Sequence, residues 1–330
     1  MAHLAGFLSR PLSPGDLGHN EFTVTIRDVP PGHAECMRTR FEMISRDGFP
    51  NYFDVQRFGS WSTRLGFPGK LLLLGKWEEA LRAYLAEPLS GDPPSLLRFK
   101  KLAQESWGDW PRLKAQAPRG NIKSVLTFLC DHPQDHKRAV NLITPRILSL
   151  WLSAYQSFLW NKIASHVLRD LAHGRHALTS LGFPWGEVAV PIYPLDPELR
   201  KKLLALSIPL PSAKNLAGRE SSPSKVVEAA HELAACGENL VTGATLAVLA
   251  EEGLQPGDLK ARGLKRAYLG RGARPLWVVP AEPKIAEPEP DELFPGQLKL
   301  VCSFILPPGS YATLFLRLLS PSPPHPPGLR

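Results

Sequence analysis

The residue types best suited to chemistry are concentrated in Pro50-Asn51-Tyr-Phe-Asp-Val-Gln-Arg-Phe-Gly59, which joins amides, three aromatic rings, an arginine and a closing glycine. Asn51 and Gln56 can pair with a nucleobase edge, Phe53 can stack on its face, and Arg57 can hold phosphate or stack in turn. The same composition suits a structural turn with Phe53 and Phe58 buried, so residue types alone leave both readings open. A second candidate runs from Lys260 to Arg274. Its six cations, Lys260, Arg262, Lys265, Arg266, Arg271 and Arg274, surround Tyr268 and several glycines without an acid. Such a run suits a nucleic-acid backbone and equally a solvated surface. In Cys130-Asp-His-Pro-Gln-Asp-His136 two histidines stand four apart beside two aspartates, a spacing a transition metal can use. Pro133 between them favours a helix entry with capping and surface roles, and no metal is expected. Gly270-Arg-Gly272 lacks the third glycine of a dinucleotide fingerprint, so no nucleotide cofactor is expected either. No P-loop, Gly-x-Ser-x-Gly or His-Glu-x-x-His occurs, which removes the commonest hydrolase and phosphotransferase signatures.

These residues need elements to hold them, and 330 residues with 43% hydrophobic content are enough for a substantial core. In Glu21–Arg27, Phe22, Val24 and Ile26 alternate with polar residues, predicting a strand with one face on a core. Leu298–Phe304 repeats that period, and after the Pro307-Pro-Gly309 turn Ser310 is placed to cap a helix through about Leu319. Helical periodicity covers Pro68–Leu85 and Ser95 to about Trp107. It is clearest from Thr144-Pro145 to about His173-Gly174, where Leu148, Leu152, Tyr155, Leu159, Ile163 and Val167 form one stripe. Glu282–Glu292 reads as an acidic, Pro-rich connector, and residues 320–330 as a Pro-rich tail. Strand-bearing ends around a helical middle predict an α+β fold. The formal charge of +8 favours a polyanionic partner. Four dispersed cysteines, no secretory signal and no unbroken apolar span predict a cytoplasmic protein without a membrane anchor.

Asn51-Tyr-Phe-Asp-Val-Gln-Arg-Phe-Gly59 resembles the Asn-Tyr-Phe-Gly-x-Gln-Arg-Phe-Gly motif of the tRNA pseudouridine synthase D (TruD) family. Three further segments resemble that family in the same order. Leu17–Arg27 is similar to its Gly-Asn-x-Phe strand, Tyr155-Gln-Ser-Phe-Leu-Trp-Asn161 to its helical Gln-Ser motif, and Leu306–Thr313 with Leu316-Arg317 to its Leu-Pro-x-Gly-Ser-Tyr-Ala-Thr ending. The resemblance implies an α+β pseudouridine synthase core, with a mixed, mostly antiparallel sheet, interrupted by a large helical insertion. The expected boundaries are core at 1–76, insertion at 77–280, and connector with return to the core at 281–319. It further implies isomerisation of uridine to pseudouridine in transfer RNA, typically at position 13, without cofactor or metal; a monomer is expected. By the same resemblance Asn51 and Phe53 lie beside the flipped uracil, and Gln56 and Arg57 brace the loop. Tyr155, Gln156 and Asn161 are structural supports, and the 260–274 cations meet phosphate.

One departure stands against these matches. The family carries its catalytic Asp in a Gly-x-Lys-Asp motif upstream of the Gly-Asn-x-Phe strand, and this sequence contains no Gly-x-Lys-Asp. The expectation is therefore a chain lacking the N-terminal segment that holds the nucleophile, with no catalytic residue assigned and a sheet strand left with an unpaired edge. The alternatives are a catalytically silent tRNA-binding relative and a fragment. Asp54 stands where the family has Gly, and has no evident reach to the sugar.

Overall fold

A computed structural model describes residues 18–217 and 228–320, with side chains described outside 216–238. The Pro-rich tail lies outside the described residues from Pro321 onward. Strand β1 (Asn20–Val29) is followed by helix α1 (Pro31–Asp47), and the last elements among the described residues are β10 (Leu298–Leu306) and α12 (Ala312–Leu319). β1 and β10 pair antiparallel, Phe22 opposite Phe304, Val24 opposite Cys302 and Ile26 opposite Leu300, so one pleat face carries all six. β8 (Ala281–Ile285) and β9 (Glu289–Pro290) also pair with β10, giving an antiparallel sheet in which β1 is an edge among the described residues. α1 and α12 cover the apolar face, where the Phe315 ring meets Phe304 at 4.6 Å and Phe41 and Phe49 each at 5.4 Å. That cover centres on β10, whose Leu300, Cys302, Phe304 and Leu306 are buried, whereas Phe22, Val24 and Ile26 are only half-buried.

The acidic, Pro-rich segment expected as a connector supplies two of these strands. Pro283 and Pro290 are tolerated because β8 and β9 each pair with β10 alone. Four of its five acids enter ion pairs: Asp291 and Glu292 with Arg27, Glu287 with Arg38, and Glu289 with Lys299.

Between the sheet-bearing ends lie helices α2 (Pro68–Leu73), α3 (Trp77–Leu85), α4 (Pro94–Glu105), α5 (Trp110–Gln116), α6 (Asn121–Asp131), α7 (His136–Asn141) and α8 (Pro145–Ala172). The helix expected over 68–85 is broken at Gly75, whose φ of +68° a helix cannot continue. α8 has the expected span, and all six stripe residues are buried along with Trp151, Phe158 and Trp160. Hairpin β3 (Leu178–Phe183) and β4 (Gly186–Pro191), α9 (Pro197–Ala205), β5 (Ser207–Pro209), α10 (Ala213–Ala217) and α11 (Glu228–Glu251) follow. β6 (Ala273–Pro275) pairs with β5, and β7 (Trp277–Val278) returns to pair with β2 (Phe49–Pro50). That last pairing brings the end of the cationic run to the start of the aromatic loop. No helix among the described residues is long and apolar enough to cross a membrane.

Candidate active site

α8 positions the aromatic loop through polar side chains buried on one face. Asn161 and Ser157 are one turn apart and point to the same side. The Asn161 amide accepts from the Phe53 N–H and donates to the Phe53 carbonyl, both at 2.8 Å, so one side chain fixes both sides of that residue. Ser157 Oγ accepts from Arg57 Nε at 3.2 Å. Gln156 grips another segment, accepting from the Gly270 N–H at 3.0 Å and donating to its carbonyl at 2.9 Å. Tyr155 donates its hydroxyl to Glu252, and burial beside that carboxylate pushes the phenol far above its ordinary value. The loop is anchored from beneath by Tyr52, fully buried and donating to the Ala189 carbonyl at 2.7 Å.

The half-buried Phe53 ring is the centre of the arrangement. Trp160 meets it edge-on at 5.6 Å and Tyr311 at 6.2 Å, while the guanidinium of Arg274 lies 4.2 Å over it and that of Arg57 at 5.8 Å. Arg274 ties three segments together. Its Nε and Nη2 donate to the Asn51 carbonyl and Oδ1, both at 2.7 Å, and its Nη1 donates to the Gly309 carbonyl at 2.8 Å. Burial pushes this guanidinium down to about 10, helped by the nearby Arg57 charge and opposed by Tyr311, so it stays cationic at neutral pH. Asn51 is buried with its amide committed, Oδ1 to Arg274 and Nδ2 to the Pro275 carbonyl at 3.1 Å. Gln56 is exposed on the far side of the loop. Asp54 is fully buried and bonded to Arg317 at 2.6 Å, and Arg317 also donates to the Gly182 carbonyl. Asp54 Oδ2, Ser310 Oγ and Thr313 Oγ1 are buried without a hydrogen-bond partner among the described residues. Ser310 does not cap α12, which begins after Tyr311.

The structure therefore brings Asn51, Phe53, Arg57 and Arg274 into one cluster and leaves the other expected residues apart. Lys260, Arg262, Lys265, Arg266 and Arg271 are exposed, with Tyr268 72% exposed among them. Trp160, Tyr311 and Arg317 complete the cluster without having been singled out. Tyr311 and Arg317 stand in the Leu306–Arg317 motif and Trp160 in the α8 motif, the signal that could have found them. In the Cys130–His136 segment, Asp135 caps α7 by accepting from the Arg138 N–H, and the His132 ring packs on Phe128. An aromatic floor, two guanidinium groups above it and unpartnered polar atoms at its side suit a planar ligand that carries or develops negative charge.

Comparison with known proteins agrees with the motifs. The family model for tRNA pseudouridine synthase D (TruD) matches residues 2–179, more than half of the chain. A tRNA pseudouridine synthase D of Aquifex aeolicus is 29% identical over 95% of this chain and 72% of its own length. A probable tRNA pseudouridine synthase D of Methanosarcina acetivorans is 27% identical over 92% of this chain and 68% of its own. The crystal structure of a Methanosarcina mazei protein, solved as a candidate TruD, superposes with a TM-score of 0.65 at 22% identity over 93% of this chain and 70% of that one, a likeness of fold. The chain belongs to the tRNA pseudouridine synthase D family, pseudouridine synthases that act as isomerases on tRNA.

Proposed function

We propose that this chain converts uridine, at position 13, to pseudouridine in transfer RNA. The N1–C1′ bond breaks, the uracil turns, C5 bonds to C1′, and the proton lost from C5 is balanced by one gained at N1. The product is an isomer, so the reaction needs neither co-reactant nor cofactor. The base must first leave its stack, which calls for a platform to receive it. Phe53 is that platform, on the side of the ring that Arg274, 4.2 Å over it, leaves open. Asn51, whose amide bonds Arg274 through Oδ1 and the Pro275 carbonyl through Nδ2, positions Arg274 and the loop. Arg57 spends its Nε on Ser157, and its Nη1 and Nη2, without a hydrogen bond among the described residues, reach a uracil carbonyl. Together with Arg274 it stabilises the negative charge that builds on the uracil as the glycosidic bond opens. Lys260, Arg262, Lys265, Arg266 and Arg271 follow the phosphate backbone, and Gln56 faces the RNA beside the loop. A monomer acting in the cytoplasm, with 77–280 inserted into the core, completes the proposal; the β2–β7 pairing, which closes that excursion, supports the division.

The observation that carries this reading is the convergence of Arg57, Arg274, Trp160 and Tyr311 on Phe53 beside buried polar atoms without partners. A second reading, tRNA binding without isomerisation, is favoured by a different observation. The sequence has no Gly-x-Lys-Asp, and the carboxylate beside the cluster, Asp54, is occupied by Arg317. Time courses of pseudouridine formation with the parent, Phe53→Ala and Arg57→Ala test the site. Arg57→Ala is expected to slow conversion by about 100-fold, the scale of losing one preorganised electrostatic group, and Phe53→Ala by about tenfold or more, the scale of losing one stacked base; rates equal to the parent's refute the assignment.

A further inference from the structure

A cavity opens beside the aromatic loop. Its volume is about 410 Å³, within the range of small-molecule pockets, and it lies between the loop and helices α3, α4, α6 and α8. Tyr84 and Trp151, 6.2 Å apart and edge to face, form an aromatic wall, with Ile147 and Leu150 at the lip. The polar groups are few and come from the loop: Gln56, exposed with its amide unbonded among the described residues, Arg57, and Ser60, whose Oγ is buried without a partner. A mostly apolar slot with an aromatic wall and an amide, a hydroxyl and a guanidinium on one side matches a nucleobase: a flat face to pack and an edge to hydrogen-bond. Lys100, which also lines it, is neutralised by Asp92 at 2.7 Å, so Arg57 is the one cation of the lining without an ion pair among the described residues.

Arg57 lines this cavity and also stands over Phe53, so the two sites share a wall. Residues 55–58 form a 3₁₀ turn entered from an extended Asp54. Three residues of chain span at most about 11 Å, so Gln56 stays within about 11 Å of Phe53. Neighbouring unstacked nucleotides on one strand can bridge such a separation. We propose that this cavity receives a second unstacked base, adjacent in the RNA to the uridine on Phe53, and that Gln56 and Ser60 contact its edge. The inference rests on the RNA-modifying reading of the Phe53 site and adds a point at which sequence around the uridine is read.

The test measures binding of the full chain to short RNA oligonucleotides holding one uridine, with each flanking nucleotide replaced in turn by an abasic ribose. The expected result is a loss of about tenfold at one flanking position, the scale of one stacked base, and little loss at the others. Leu150→Trp plugs the lip from a side chain already 52% exposed, so the fold is retained, and it is expected to erase that positional difference. Gln56→Ala, also on the surface, should reduce it. Salt-dependent binding that is insensitive to every abasic substitution, or a positional loss unchanged in Leu150→Trp, overturns the second site while leaving the Phe53 reading intact. Absence of any salt-dependent RNA binding overturns both.

Discussion

Arg274 and Arg271 are three residues apart in one cationic run, yet the structure gives them opposite work, and exchanging each for alanine separates the two. Arg274→Ala removes hydrogen bonds of 2.7, 2.7 and 2.8 Å, a longer one of 3.5 Å to the Tyr52 carbonyl, and a cation over the Phe53 ring. Hydrogen bonds to a charged group contribute about 1.5–3 kcal/mol each, but the variant also escapes the cost of burying the guanidinium. What is left uncompensated is the unsatisfied Asn51 carbonyl and Oδ1 in a closed site, giving a net loss of about 3 kcal/mol. Arg271 is exposed and makes no bond among the described residues, so its removal changes stability by less than about 0.5 kcal/mol. Binding to RNA reverses the order. Arg271→Ala should flatten the slope of log K against log salt by about 0.7–0.9, one phosphate contact. Arg274→Ala should leave that slope unchanged at whatever fraction remains folded. Urea melts with an unchanged m-value and a salt titration of tRNA binding provide both readings. An Arg274→Ala protein as stable as the parent, with a slope reduced by about one, would refute the reasoning.

Other consequences are equally specific. Asn161→Ala leaves the Phe53 N–H and carbonyl unpaired, and should cost about 2–3 kcal/mol in a urea melt and displace the platform ring; a loss under 0.5 kcal/mol would contradict the clamp. Gly69 packs α2 on α8 so closely that a Cβ would collide with the Trp151 carbonyl and stand 2.9 Å from Tyr155 Cβ. Gly69→Ala should therefore lose about 2 kcal/mol or more, and neutral melting would show the helices free to part. Asp47 is held below its ordinary value, first by the bonds from Arg46 and then by the Leu195 N–H, against the opposing effect of burial. Because the folded value is the lower one, this stabilisation is full above about pH 4, near the unfolded value, and fades as pH falls through the folded value. Asp47→Asn should remove that part of the acid dependence, and an unchanged pH profile of melting would contradict it.

How much could be read in advance depended on distance along the chain. β1, β10 and α8 announce themselves because their periodicity is written within a single element, and the motif loop because its chemistry is contiguous. The break at Gly75 was invisible because apolar residues continue on both sides of it. β8 and β9 were hidden because proline and acid content argue against strands, and only pairing with β10 and with Arg27, Arg38 and Lys299 makes them favourable. The site was legible in part. Asn51, Phe53 and Arg57 belong to one motif, but the bonds that join Arg274 to Asn51 and Arg317 to Asp54 cross more than 200 residues. No local pattern distinguishes Arg274 from its exposed neighbours. That distinction arises from β6 pairing with β5, which turns the end of the run into the interior.

The central claim is that the Phe53 cluster isomerises a uridine. It is tested most directly by incubating the purified chain with unmodified tRNA and mapping pseudouridine nucleotide by nucleotide. Conversion is expected at one position, uridine 13, and is slowed by Phe53→Ala; tRNA bound with normal salt dependence but no pseudouridine formed at any position would contradict the claim.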